Sequence, residues 1–144
     1  MKSEVQKPNQ SPFEQIKQTD ENGNEFWYAR QLAKILEYTD FSRNFVSVIN
    51  KAKEACANSQ QEVSEHLVEA NEVLEAGHGA KQTYPSFKLS RYACYLIVQN
   101  ADPGKEVVAQ GQTYFAVQIE IKQLEGELKT VQTEIEKYLT QLMD

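Results

Sequence analysis

The feature that most restricts how this chain can fold is a run of apolar residues in its last third. Its members are spaced alternately by four and three positions over more than three heptads: Val117, Ile121, Leu124, Leu128, Val131, Ile135, Tyr138 and Leu142. A period of 3.5 places them all on one stripe of an α-helix. The pattern predicts an amphipathic C-terminal helix over residues 117–144, and its length favours a coiled coil over a helix lying on its own domain.

The residues that flank this stripe do not specify a homodimer. With Ile121 at heptad position a, the e and g positions as far as Leu139 hold, in chain order, Gln118, Glu120, Glu125, Glu127, Gln132, Glu134 and Leu139. Glutamates would face each other in a parallel pair, and also in an antiparallel pair that sets g against g. A homodimer through this helix stays one alternative, and a partner with basic flanks suits the charges better.

Composition limits the class of protein. The chain has 144 residues, of which 40% are hydrophobic, enough for one domain with a packed core. No apolar run approaches the roughly 20 residues that span a membrane, and the N-terminus has no apolar signal core, so we expect a cytoplasmic protein that does not contact membranes. Cys56 and Cys94 fall on apolar helix faces, which predicts buried thiols in a reducing compartment.

The sequence contains none of the residue patterns that accompany catalysis or cofactor binding. His66 and His78 have no partner at a metal-ligand spacing. Phosphate loops, dinucleotide fingerprints, Cys-x-x-Cys pairs and nucleophile elbows do not occur in it. We therefore expect a protein that is not an enzyme, with no catalytic residue, no metal site and no cofactor.

The N-terminal part predicts a flexible leader followed by a globular domain over residues 13–116. The leader, residues 1–12, is polar and has no periodicity. A β-hairpin follows, in which the pair Asn22–Gly23 turns between Phe13–Thr19 and Glu25–Tyr28.

The rest of the domain predicts an α+β fold that is predominantly helical. Apolar spacing indicates two short helices, Ala29–Tyr38 and about Ser42–Ala57. A second hairpin pairs about Leu67–Leu74 with Gln82–Phe87.

Two further helix starts can be read from capping residues. Ser86 is the candidate N-cap of a helix that carries Leu89, Leu96 and Ile97 on its apolar face. Asp102 with Pro103 predicts the start of the last helix, because an aspartate accepts free N–H groups and proline needs no donor in the first turn.

Charge is distributed unevenly along the chain. The net charge of −6 argues against tight, indiscriminate binding of nucleic acid by the whole surface. Between Trp27 and Lys53, however, five basic residues stand against two acidic ones, and two short helices with cations outside resemble a helix-turn-helix. The candidate phosphate contacts are Arg30, Lys34, Arg43, Asn44, Lys51 and Lys53, with a second patch of Lys81, Lys88 and Arg91. For each of these residues, a solvated surface position is the alternative.

Four aromatic residues have two interpretations. Trp27, Tyr28, Tyr92 and Tyr95 could stack on the bases of single-stranded DNA. Their apolar neighbours favour positions in the core.

Four stretches of sequence carry a resemblance to a known family. They are Pro12–Lys17, Trp27–Tyr38, Lys51–Ser59 and Leu89–Pro103, the last continued by Ala109–Gln118. In this order and spacing they resemble the N-terminal domain of the DNA-damage-inducible protein D family, which is related to the N-terminal domains of baculovirus BRO proteins and phage antirepressors. The resemblance implies a BRO-like α+β domain, damage-induced expression and a role near DNA and recombination in bacteria or phage, without catalysis.

The chain departs from this family at three positions. Glu37 stands where the family usually has a glycine at the end of the first helix, Gln82 where it tends to have a second basic residue, and Ser86 where it tends to have an acid. The resemblance fades after Gln118, where the family has a longer C-terminal region. A short natural variant and a fragment both fit.

These observations lead to three hypotheses about function. The first is a DNA-associated regulator that binds DNA, including single-stranded DNA, through the basic residues. The second is a module whose acidic C-terminal helix docks a recombinase or another repair protein, with no DNA contact of its own. The third is an antirepressor-like module, which differs from the second only in having a repressor as its partner.

Overall fold

The computed structural model describes residues 11–143, and the predicted leader lies outside them except for its last two residues. Those two residues start the first helix, α1 (Pro12–Gln15). The Ser11 hydroxyl accepts a hydrogen bond from the N–H of Phe13 at 3.2 Å, and proline occupies the first turn, where its missing donor costs nothing.

The fold is α+β and predominantly helical, as the sequence predicts. After α1 the elements are β1 (Gln18–Thr19), β2 (Glu25–Tyr28), α2 (Ala29–Ile35), a π-helical turn (Phe41–Phe45), α3 (Val46–Asn58), α4 (Val63–His66), β3 (Leu67–Glu75), β4 (Lys81–Leu89), α5 (Arg91–Asn100) and α6 (Glu106–Met143). Within the described residues, no helix is both long and apolar enough to cross a membrane.

The strands form one four-stranded antiparallel sheet in the order β1-β2-β4-β3. The predicted second hairpin is confirmed, because β3 and β4 pair from Leu67 opposite Leu89 to Glu75 opposite Lys81. Gly77 and Gly79 both have positive φ, at 85° and 75°, which closes the turn between the two strands.

The first hairpin is shorter than predicted. Asp20 organises its turn, since its carboxylate accepts the N–H groups of Asn22 and Asn24, both at 2.9 Å. The prediction that Phe13 begins a strand is wrong. The cap at Ser11 starts a helix there instead, and the Phe13 side chain turns into the core.

The predicted cap at Ser86 is also wrong. Pairing with β3 keeps the chain extended as far as Leu89, so the helix cannot begin earlier. Ser90 caps α5 instead, accepting the N–H of Ala93 at 3.0 Å. Asp102 accepts the N–H of Gly104 in a turn at 2.9 Å, and α6 begins later than predicted, at Glu106.

Aromatic rings from both ends of the domain meet in the core. The rings of Phe13 and Trp27 each lie against Phe115 of α6, with centroid distances of 5.5 and 5.3 Å. Trp27 is completely buried, so its core interpretation is confirmed and a stacking platform at that residue is excluded. Cys56 and Cys94 are buried as predicted, and burial raises the pKa of the Cys94 thiol well above its usual range.

The last helix belongs to the domain only at its start. Val108, Gly111 and Phe115 are buried, whereas every residue from Glu120 to Met143 is exposed. With 38 residues the helix is roughly 57 Å long at a rise of 1.5 Å per residue. Its C-terminal part therefore projects from the domain.

Replacing Glu37 with glycine is expected to raise the free energy of unfolding by about 0.5–1 kcal/mol. Glu37 follows α2 with φ of 65°, a left-handed conformation that disfavours a residue with a Cβ. Urea unfolding followed by circular dichroism measures the change. Glu37→Ala is the control, because alanine keeps the strain and should bring no such gain. An equal gain in both variants would contradict the explanation.

Candidate interaction surfaces

We use the name basic face for the six predicted DNA contacts on α2, the π-helical turn and α3: Arg30, Lys34, Arg43, Asn44, Lys51 and Lys53. The carboxylate of Asp40 accepts the N–H of Arg43 at 3.0 Å and caps the π-helical turn. Phe45 anchors this turn in the core, and the side chains of Arg43 and Asn44 are left in solvent. Lys51 is exposed because Val48, Ile49 and Ala52 occupy the buried side of α3.

Four of these residues line two neighbouring cavities, and Arg30 is one of them. Asn44 and Lys51 line one of about 470 Å³, and Lys34 lines another of about 320 Å³. The two share the segment from Glu37 to Thr39. The fold thus brings Lys34 to the same side of the domain as Asn44 and Lys51.

Lys105 belongs to this region although sequence reasoning missed it. Its ammonium donates to the carbonyl oxygen of Glu37 at 2.9 Å and lies 3.9 Å from the centre of the Tyr38 ring. Lys105 stands before α6 in a turn without periodicity, so no sequence pattern indicated its contact with the end of α2. Its ammonium adds a positive charge beside the basic face, but this group already donates hydrogen bonds to backbone carbonyl oxygens.

Arg30 connects three elements of the fold. Its Nε donates to the carbonyl oxygen of Pro85 in β4 at 2.6 Å, and its guanidinium lies 4.2 Å from the centre of the Phe41 ring. Its backbone N–H donates to the buried carboxylate of Glu72 at 2.8 Å, and Ser86 donates to the same oxygen at 2.6 Å. These contacts hold Arg30 in place, so a phosphate would have to compete with them.

Most of the other cations also have contacts within the domain. Lys53 lies 4.5 Å from the centre of the Phe87 ring, and Lys88 lies 4.9 Å from that of Phe26. Arg91 forms an ion pair with Glu25, and its side chain is only 14% exposed. Of the three residues in the predicted second patch, only Lys81 is exposed, next to the β3–β4 turn.

Arg91 is part of a polar network that ties α1 to α6. Lys17 pairs with Glu14 and lies 3.6 Å from Glu25, and the Tyr114 hydroxyl donates to Glu14 at 2.5 Å. Burial works against the charge of Glu14, but the hydrogen bonds from Lys17 and Tyr114 outweigh it and lower the pKa of that carboxyl. Burial, followed by the contact with Glu14, raises the pKa of Tyr114.

The apolar stripe of α6 is the second surface, and we call its eight residues the seam: Val117, Ile121, Leu124, Leu128, Val131, Ile135, Tyr138 and Leu142. These residues are 40–82% exposed. Leu139 and Met143 are also exposed and widen the apolar surface near the end of the helix. The domain holds α6 by the separate stripe that contains Val108, Gly111 and Phe115, which leaves the seam uncovered.

The histidines take ordinary structural positions. His66 Nδ1 lies 2.7 Å from the Ser90 hydroxyl, and His78 is exposed in the β3–β4 turn. Among residues 11–143, no three His, Cys, Asp or Glu side chains are grouped so that they could hold a metal ion.

Comparison with known proteins identifies the domain. Residues 15–116 match the BRO family, N-terminal domain. The chain belongs to the BRO family. This BRO-family chain is similar to DNA damage-inducible protein D of Escherichia coli (strain K12), with 49% identity over 113 residues. The aligned part is 78% of this chain and 41% of that relative, so the chain spans less than half the relative's length. No solved structure matches the chain.

The match to the BRO family stops where the seam begins. Its last matched residue is Ala116, and the first residue of the seam is Val117. The basic face therefore lies within the matched residues, and so does the polar network except for Glu14, whereas the seam follows them.

Proposed function

We propose that this BRO-family chain is a non-enzymatic protein of the DNA-damage response that binds a protein partner along α6. The link to DNA damage rests on its similarity to DNA damage-inducible protein D. The observation that carries the proposal is the seam, eight apolar side chains that the domain leaves exposed along one side of a helix. The partner class expected from the sequence is a recombinase or another repair protein, or, on the antirepressor-like hypothesis, a repressor.

The physical reason is the free energy that the seam can contribute when it is covered. Full burial of a leucine, isoleucine or valine side chain contributes about 1.5–3 kcal/mol. Contiguous exposed apolar surface of this kind marks sites of protein interaction. A helix that presents anchors spaced three and four apart is a recurring way to fill an apolar groove or to pair with another helix.

Two aspartates in the seam are expected to abolish partner binding and leave the domain folded. The variant Leu124→Asp/Leu128→Asp places charges where the partner would pack, whereas both positions are exposed in the free chain. The whole 144-residue chain is used to isolate partners from bacteria treated with a DNA-damaging agent, and recovery is quantified by mass spectrometry. We expect recovery of the main partner to fall at least tenfold, equivalent to about 1.4 kcal/mol.

The matched control adds the same charge to the outer side of the helix. Gln123→Asp/Thr130→Asp changes two exposed residues outside the seam and should leave partner recovery at the wild-type level. Equal recovery with the seam variant and wild type would refute the proposal. Circular dichroism of both variants confirms that the helix and domain persist.

A second candidate function is DNA binding by the basic face. It is favoured by the exposure of Lys34, Arg43, Asn44 and Lys51 on adjoining elements. The contacts of Arg30, Lys53 and Arg91 within the domain reduce the number of cations available to phosphates. The net charge of −6 further limits affinity, so on this hypothesis binding is weak and strongly dependent on salt.

Titration of labelled single- and double-stranded DNA at two salt concentrations tests this candidate. Arg43→Glu/Lys51→Glu is expected to weaken binding and to reduce the slope of log K against log salt by about two, because each lost phosphate contact removes about one unit. Lys129→Glu/Lys137→Glu makes the same charge change on α6 and should leave the slope unchanged. Absence of binding by the wild type at low salt would eliminate this function.

A further inference from the structure

The charges beside the seam are of one sign. The positions that would flank a helix packed on the seam carry four charged residues, and all of them are glutamates: Glu120, Glu125, Glu127 and Glu134. The three lysines of this part of α6, Lys122, Lys129 and Lys137, occupy outer heptad positions. Because the flanking positions face the partner in a coiled coil, a partner would meet only negative charge there.

A second copy of the chain fits this pattern badly. In a parallel pair, Glu120 of one chain would face Glu125 of the other. An antiparallel pair that sets g against g brings Glu120, Glu127 and Glu134 against the same glutamates of the second helix. Like charges facing each other disfavour both arrangements.

The seam lacks the buried polar residue by which many coiled coils select their partner. A polar residue at an a or d position commonly sets register and partner choice in a coiled coil, but all eight seam positions hold apolar side chains or tyrosine. Apolar surface attracts many helices, whereas repulsion between flanking charges excludes particular ones. The glutamates are therefore the element of α6 that can discriminate between partners.

We infer that α6 selects an amphipathic partner helix with lysine or arginine at its flanking positions, in preference to a second copy of this chain. The inference rests on the proposed function, because it requires that the seam docks a helix. The partner carries an apolar repeat of period 3.5, with its basic residues beside the stretch from Glu120 to Glu134. Near Leu139, where an apolar residue replaces the flanking charge, the partner is apolar as well.

A variant of the chain itself supplies a probe with this chemistry. Glu120→Lys/Glu125→Lys/Glu127→Lys/Glu134→Lys keeps the seam and makes its flanks basic. All four positions are exposed, so the domain should fold as in the wild type, which circular dichroism checks. Analytical ultracentrifugation then measures association of the wild type alone, of the four-lysine chain alone and of their equimolar mixture, at low and high salt.

We expect the mixture to form a one-to-one complex with a dissociation constant at least 100-fold below that of either chain with itself. High salt should shrink this difference, because salt screens interactions between exposed charges. The control is the four-lysine chain that also carries Leu124→Asp/Leu128→Asp. It keeps basic flanks beside an interrupted seam and should not bind the wild type.

The possible results separate the inference from the proposed function. Self-association of the wild type as tight as the mixed complex would overturn the selectivity and make a second copy the occupant, with the seam still a docking surface. Binding of the control as tight as that of the uninterrupted probe would show attraction between charges without docking, and would also overturn the inference. Absence of association in every combination would count against docking along α6, and so against the proposed function.

Discussion

Replacing Trp27 with alanine is expected to lower the free energy of unfolding by about 3–5 kcal/mol. The side chain has no exposed surface, and its ring meets Phe115 edge-on at 5.3 Å. Its indole N–H donates to the carbonyl oxygen of Phe13 at 2.8 Å, so alanine leaves both a cavity and a buried acceptor without its donor. Such a loss is a large fraction of the 5–15 kcal/mol typical of native proteins.

Urea unfolding with linear extrapolation measures this loss. Trp27→Phe keeps part of the ring contacts, removes the hydrogen bond and leaves a smaller cavity than alanine, so we expect a smaller loss of about 1–3 kcal/mol. Val73→Ala, at an exposed position of β3, should change stability by no more than about 0.5 kcal/mol. A loss below about 1 kcal/mol for Trp27→Ala would mean that the contact between β2 and α6 contributes little.

Replacing Gly111 with leucine is expected to separate α1 from α6 and to lower the free energy of unfolding by about 3 kcal/mol. A Cβ at this position would lie 2.9 Å from Cζ of Phe13 and 3.2 Å from Cγ1 of Val98. Phe13 is buried, and the rings of Tyr114 and Phe115 each lie 5.5 Å from its own, so little space is left for it to shift. The same urea titration measures the effect.

The two glycines of α6 form a matched pair for this test. Gly126 lies in the projecting part of the helix, and a Cβ there would meet nothing within 4 Å. Alanine at either position improves helix propensity by about 1 kcal/mol. We therefore expect Gly126→Ala to raise the helical circular dichroism signal without loss of stability, and Gly111→Ala to destabilise the domain. If Gly126→Ala and Gly111→Ala both stabilised the protein, the Phe13 side chain would have to move aside at little cost when a Cβ is added at Gly111.

Local patterns predicted the parts of the fold that depend on neighbouring residues in sequence. The β3–β4 hairpin follows from two extended segments around Gly77 and Gly79, and the seam follows from a period of 3.5. The sequence predicted that α2 extends to Tyr38, but the helix ends at Ile35. Its sequence does not show that Glu37 takes a left-handed conformation, because glutamate, unlike glycine, is not a marker for it.

The features that sequence analysis missed depend on residues far apart in the chain. Glu72 caps the start of α2 from the middle of β3, and it recruits Ser86 as a donor instead of leaving it to cap a helix. From the sequence alone, Arg30 and Arg91 were predicted to be exposed surface cations. Their partners, Pro85 and Glu25, come from other elements, and only the folded chain shows these contacts. The same holds for the contact of Gly111 with Phe13.

The way α6 begins inside the core affects how ordered its far end is. An isolated helix must first form a single turn, a step with a statistical weight of about 10⁻³, or roughly 4 kcal/mol. Here Val108 and Phe115 already fix the first turns against the domain, so the projecting segment only has to propagate from a preformed nucleus. A partner then meets a helix instead of a coil and loses less entropy on binding. A peptide of residues 117–144, which contains the whole seam, should accordingly bind more weakly than the same residues in the whole chain. A substitution that loosens Phe115 should weaken docking at the seam without touching it.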